Sequence, residues 1–153
     1  TFGKALGGAG GGFIAGKKPV IDLCIQRSRP HLFSNSLPPV LTSVALAAIE
    51  YLECHPEKVR SLQKKTKYFR ENLKKAGITP LEGDSAIIPV MIYDTAKAIR
   101  AAVDMLEQGV YVIGFGYPVV PEGQARIRIQ VSDALSYEDI DYSINVLKKV
   151  LSE

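Results

Sequence analysis

The sequence is poor in the features that mark several common classes of protein. Its 153 residues include only two cysteines, Cys24 and Cys54, spaced neither as a CxxC pair nor as a disulfide framework. Both are expected to be small buried apolar residues in a reducing compartment. The two histidines, His31 and His55, are far apart and lack ligand spacing, so no metal centre is expected. No apolar run approaches the roughly 18 residues of a membrane-spanning helix, and the start lacks the charged-then-apolar order of a secretory signal. These absences predict a soluble, cytoplasmic protein without a membrane partner. Charge of one sign is also scarce: 19 basic and 16 acidic residues are interspersed, for a net +3, which argues against nucleic acid as a partner. An initiator methionine is missing too, and Thr1-Phe2-Gly3-Lys4 runs straight into glycine-rich sequence. The expectation is a piece of a longer chain.

What is present is ordinary globular composition, 46% hydrophobic, enough for one core. Seven glycines in the first sixteen residues predict tight turns and close backbone approach. A short strand is expected at 12–16, then a helix over 20–27 that ends before Arg29-Pro30, because a residue before proline avoids helical geometry. Residues 31–34 read as extended. Residues 40–53 are apolar nearly all round, as in a buried helix, whereas 57–76 carry a narrow stripe of Val59, Leu62, Phe69 and Leu73 among lysines and arginines, with Gly77 as a C-terminal cap. That basic face reads as solvated. Beyond it the pattern predicts a strand at 87–93, a helix over 95–108 stopped by Gly109, a strand at 110–115, a loop at 116–123 and a strand at 125–131. Ser136, with Asp139 three residues on, opens a last helix as in a capping box. Alternating strands and helices argue for an α/β fold.

Lys4 stands out among candidate chemical groups. It lies in an uncharged, glycine-dense stretch while most other lysines occupy helix faces, and a neutral amine among small residues suits attack on a carbonyl. Gly11 to Lys17 matches the G-x-x-x-x-G-K part of a phosphate-binding loop. Lys18 then replaces the magnesium-binding Ser or Thr, and Pro19 follows. A nucleotide-binding module built on that stretch is the rival of a different class. In Ala125-Arg126-Ile127-Arg128-Ile129-Gln130-Val131, alternation puts Arg126, Arg128 and Gln130 on one face. The two guanidiniums are either surface groups with acidic neighbours or a clamp on a substrate carboxylate. Phe33-Ser34-Asn35-Ser36 before Leu37-Pro38-Pro39 offers hydroxyls and amides at a turn into a helix.

Thr1-Phe2-Gly3-Lys4-Ala5-Leu6-Gly7-Gly8, Arg29 to Pro39, and Gly116-Tyr117-Pro118-Val119-Val120-Pro121 on to Arg128 together resemble consecutive motifs of the α-oxoamine synthases, a family of fold-type I pyridoxal 5′-phosphate (PLP) enzymes. The resemblance runs over essentially the whole chain. It implies the end of a large PLP-binding domain at residues 1–50 and a small C-terminal α/β domain at 51–153. It further implies that Lys4 forms the Schiff base with PLP and moves protons at the substrate α-carbon, that Thr1 binds the cofactor phosphate, and that Arg128 clamps the amino acid carboxylate. Phe33 and Ser34 match positions that reach the phosphate of the neighbouring subunit's cofactor, which implies a homodimer. The Ser-Asn-Ser turn and the Tyr-Pro-Val-Val-Pro loop are similar to those of members that condense glycine with acetyl-CoA in threonine catabolism. Another member, taking alanine and a longer acyl donor, is the nearest rival. Two positions depart from the family pattern: Leu135 stands where a histidine is common and His31 where a tyrosine is usual. Family residues that stack on the PLP ring and pair with its nitrogen precede the lysine, so this chain alone is expected to be inactive.

Overall fold

The structure, a computed structural model, describes residues 1–152. In chain order its elements are α1 (Lys18–Arg27), α2 (Arg29–Phe33), α3 (Pro39–Cys54), α4 (Pro56–Lys75), β1 (Ile87–Tyr93), α5 (Thr95–Glu107), β2 (Ile113–Phe115), β3 (Ala125–Gln130) and α6 (Tyr137–Val150). The chain divides into two compact units, Thr1–Pro56 and Glu57–Glu153.

Strict alternation makes β3 the centre of the second unit. Ala125, Ile127 and Ile129 are buried on one face, while Arg126 and Arg128 are half-buried on the other. The strands lie in the order β1-β3-β2, all antiparallel. Register pairs Ile88 with Ile129 and Val90 with Ile127 on the inner face, and Pro89 with Arg128 and Met91 with Arg126 on the outer. Helices α4, α5 and α6 supply the rest of the core through Phe69, Leu73, Met105, Ile140 and Leu147. Each such side chain contributes about 1.5–3 kcal/mol when taken out of water. The result is a two-layer α/β unit with the arginine face of its sheet turned away from the helices.

The helix ends are set by the residues expected to set them. Gly77 has φ +84°, and the Ile78 and Gly77 N–H groups donate to the Leu73 and Lys74 carbonyls at 2.9 and 3.0 Å. Gly109, at φ +79°, closes α5 in the same way through Val110 and Met105. At α6, the Asp139 N–H donates to Ser136 Oγ at 3.0 Å and the Ser136 N–H donates to Asp139 Oδ2 at 2.8 Å, a complete capping box.

Elsewhere the structure departs from expectation. No strand forms at 12–16, where no partner strand exists in the first unit. Arg29–Phe33 is a short helix rather than extended, because Pro30 sits in its first turn, where the missing N–H costs nothing. For the same reason α1 begins at Lys18, with Pro19 inside its first turn. Strand β2 covers only 113–115, since Val110 is committed to closing α5. Helix α3, apolar as it is, buries only Ala45. Cys24 is half-buried and Cys54 exposed. No helix among the described residues is long and apolar enough to cross a membrane.

Candidate active site

Lys4 occupies a loop that closes on itself through its backbone. The Phe2 N–H donates to the Gly11 carbonyl at 2.9 Å, the Gly8 N–H to the Phe2 carbonyl at 2.8 Å, and the Gly7 N–H to the Lys4 carbonyl at 3.0 Å. Gly7, at φ +71°, follows that turn in a region that glycine occupies readily. Glycine is required here for space as well. A Cβ on Gly3 would lie 2.5 Å from the Ala9 carbonyl oxygen, and one on Gly8 would lie 2.9 Å from Phe2 Cβ and 3.2 Å from Ala45 Cα. Ala9 itself has φ 62°, a region that non-glycine residues seldom occupy and that costs on the order of 1–3 kcal/mol. The loop is anchored by Phe2, buried and stacked on Phe13 at 5.5 Å. It rests against one stripe of residues: Leu37 beside Gly11, Leu41 beside Gly10 and Ala45 beside Gly8.

Within this frame Lys4 and Thr1 are both exposed. Neither side chain makes a hydrogen bond or ion pair among the described residues. The lysine is therefore presented outward, not enclosed by the small residues around it. Phe33 and Ser34, at the end of α2, are also exposed, with the Arg29 guanidinium 5.6 Å over the Phe33 ring. No hydrogen bond joins them to the Lys4 loop among the described residues. Gly11 to Lys17 is coil with no strand before it, which is not the setting a phosphate-binding loop requires.

The second unit carries the arginine face. Arg126 donates from Nε to the Gln124 carbonyl at 3.1 Å, whereas the Arg128 guanidinium lies 4.6 Å over the Phe115 ring. No carboxylate pairs with either arginine among the described residues. The reading of both as surface groups with acidic neighbours is thus not what the fold provides. Sequence reasoning missed Phe115, because an aromatic on a short strand reads as core. Its signal was Gly114, which leaves β2 without a side chain toward the helices and assigns Phe115 to the arginine side.

The perturbed titrating groups lie elsewhere. Asp133 is held below the ordinary carboxylate value by the Ser61 hydroxyl, then by Lys65 and Lys58, against an opposing desolvation. Asp139 is held down by the Ser136 backbone and hydroxyl, and the Tyr68 phenol is held up by its hydrogen bond to Asp141. Tyr68 joins α4 to α6, Asp133 joins α4 to the loop before α6, and Asp139 caps α6. Of the two family departures, Leu135 packs against the core and His31 is exposed on α2.

Comparison with known proteins fits these motifs. The aminotransferase class I and II family matches residues 1–147. Mouse (Mus musculus) mitochondrial 2-amino-3-ketobutyrate coenzyme A ligase is 47% identical over 150 residues, 98% of this chain and 36% of the mouse protein. The 8-amino-7-oxononanoate synthase of Thermosipho melanesiensis is 41% identical, again over 98% of this chain and 38% of its own length. Among solved structures, a serine palmitoyltransferase with its PLP internal aldimine superposes with a TM-score of 0.82 at 28% identity, over 98% of this chain and 38% of that one. The chain spans little more than a third of the length of the curated relatives it matches. On the match across residues 1–147, the chain belongs to the aminotransferase class I and II family.

Proposed function

We propose that the full-length protein carrying this chain is a PLP-dependent acyltransferase that joins glycine to acetyl-CoA, giving 2-amino-3-ketobutyrate and CoA. The observation that carries this reading is the exposed, unpaired Lys4 amine on a self-closed glycine loop, in a chain so close to a 2-amino-3-ketobutyrate coenzyme A ligase. The residues fit the cofactor chemically. A primary amine free of internal partners can bond an aldehyde carbon, a hydroxyl three residues earlier can donate to a phosphate, and the glycines keep side chains out of the turn between them.

When bound, PLP supplies an electron sink for charge developing at the substrate α-carbon. Arg128 holds the glycine carboxylate, which fixes the orientation of the α-carbon bonds. Lys4 takes a proton from that carbon as the C–H bond breaks and later passes it to the departing thiolate sulfur. The new bond forms to the acyl carbon of the thioester, and the C–S bond breaks to release CoA as its thiol. Thr1 holds the cofactor phosphate. Phe33 and Ser34 serve the site of the neighbouring subunit, so the working unit is a homodimer. On the same reading residues 1–50 end the large PLP-binding domain and 51–153 form the small domain. The location is the cytoplasm, although the mouse relative is named as mitochondrial.

A second reading has one observation in its favour, the likeness to 8-amino-7-oxononanoate synthase: alanine and a longer acyl-CoA would then be the substrates. An assay of CoA thiol release by the full-length protein with PLP separates the two. Glycine with acetyl-CoA is expected to turn over faster than alanine with a longer acyl-CoA. The reverse preference would move the assignment to the second reading, and release with neither pair would overturn both.

A further inference from the structure

We propose that Phe115 is a positioning residue for Arg128, holding its guanidinium over the ring so that its N–H donors are left to an incoming carboxylate. The inference rests on the reading of Arg128 as the carboxylate clamp. Its basis is the way β2 is built. Phe115 pairs across the sheet with Arg126 and lies diagonal to Arg128, which pairs with Ile113. All of these share the outer face, and diagonal neighbours in an antiparallel pair are within reach of long side chains. The guanidinium lies 4.6 Å from the ring centroid, inside cation–π range.

Phe115 is itself held on both sides. A Cβ on Gly114 would lie 2.5 Å from the Ala98 carbonyl oxygen, so only glycine lets β2 lie flush on α5 at that point. A Cβ on Gly116 would collide with the Thr95 side chain, and Thr95 Oγ1 accepts from the Tyr117 N–H at 3.3 Å. Thr95 in turn opens α5, whose N-cap Asp94 accepts from the Lys97 N–H at 2.8 Å. The ring is therefore anchored to a helix start, not carried on a free loop.

A ring is suited to this role where a carboxylate is not. An internal Asp or Glu would orient Arg128 by occupying the donors that the substrate needs, whereas a stacked ring engages the π face and leaves the donors free in their plane. No such acid pairs with Arg128 among the described residues.

The test uses the full-length holoenzyme with Phe115→Leu and Phe115→Tyr, each alone and combined with Arg128→Ala. Glycine dissociation constants come from equilibrium titration, and KM for acetyl-CoA and the melting temperature are measured in parallel. Phe115→Leu is expected to weaken glycine about 3- to 10-fold, which converts to about 0.7–1.4 kcal/mol, with the acetyl-CoA KM and melting temperature unchanged. Phe115→Tyr, which keeps the ring, is expected to bind glycine as the parent does, and Phe115→Leu is expected to add nothing once Arg128 is gone. If Arg128→Ala weakens glycine but Phe115→Leu does not, the positioning inference falls and the clamp stands. If Phe115→Leu costs the same with and without Arg128, the ring acts through strand packing and the inference is overturned. If Arg128→Ala leaves glycine binding intact, the clamp falls and the inference with it. Should Phe115→Leu fail to fold, Phe115→Met tests the same loss of the ring.

Discussion

Residues 1–56 and residues 57–152 are both rich in apolar side chains, yet only the second stretch closes around them. There Leu73, Ile88, Ile127, Ile140 and Leu147 are wholly buried between one sheet face and three helices. In the first, Phe13, Ile14, Leu23, Phe33 and Val40 are 62–77% exposed, and order comes from backbone hydrogen bonds that glycine permits. Stability and the proposed reactive amine thus reside in different units. On the proposed reading, the open apolar surface of the first unit belongs to a larger domain, most of whose length in the relatives lies outside this stretch.

Several changes would break or sharpen that contrast. The largest effect is expected on separating the units. Residues 57–153 alone should unfold cooperatively in urea, followed by circular dichroism, while residues 1–56 alone should show no sigmoidal transition. A cooperative transition in the shorter piece would remove the contrast. Next in size are core truncations. Leu73→Ala or Ile127→Ala should cost about 2–5 kcal/mol, against about 0.5 kcal/mol or less for Leu23→Ala in this chain, measured by denaturant titration. Smaller are the helix ends: Ser136→Ala should cost about 1 kcal/mol through loss of the N-cap, and Gly77→Ala a similar amount because a side chain is strained at its positive φ.

The smallest effects are expected from pH. Asp133 and Asp139 are held below their ordinary value, so the folded state favours their charged forms. Their contribution is complete above the ordinary carboxylate range and is lost as pH falls through the lowered folded values. Tyr68 is held above its ordinary 10.0 by Asp141. Its contribution is complete below that value and is lost as pH rises through the raised one. Asp139→Asn should flatten the acid limb of a stability-against-pH curve, and Tyr68→Phe the alkaline limb.

The same contrast explains what could be read from the sequence. In the second unit period and burial coincide: the alternation of Ala125–Gln130 is the observed burial pattern, and the order of strands and helices after Gly77 is the order found. In the first unit pattern and burial part company. Residues 40–53 look like a buried helix; they form the helix but bury only Ala45 among the described residues, so hydrophobicity indicated the helix and not its surroundings. Pro30 reads as a stop yet sits in the first turn of α2, a distinction local sequence does not make. Motif spacing made Lys4 and Arg128 visible. Phe115 and the close approach of Gly3 to Ala9 depend on strand register and loop closure, which only coordinates supply.

The most direct test of the central claim is to add PLP to the full-length protein, reduce it with borohydride, and map the modified peptide by mass spectrometry, comparing the parent with Lys4→Ala. The proposed function predicts a visible absorbance band and a reduced cofactor adduct on the peptide containing Lys4, both lost in the variant. A band that persists without Lys4, or an adduct mapped to another lysine, would contradict it.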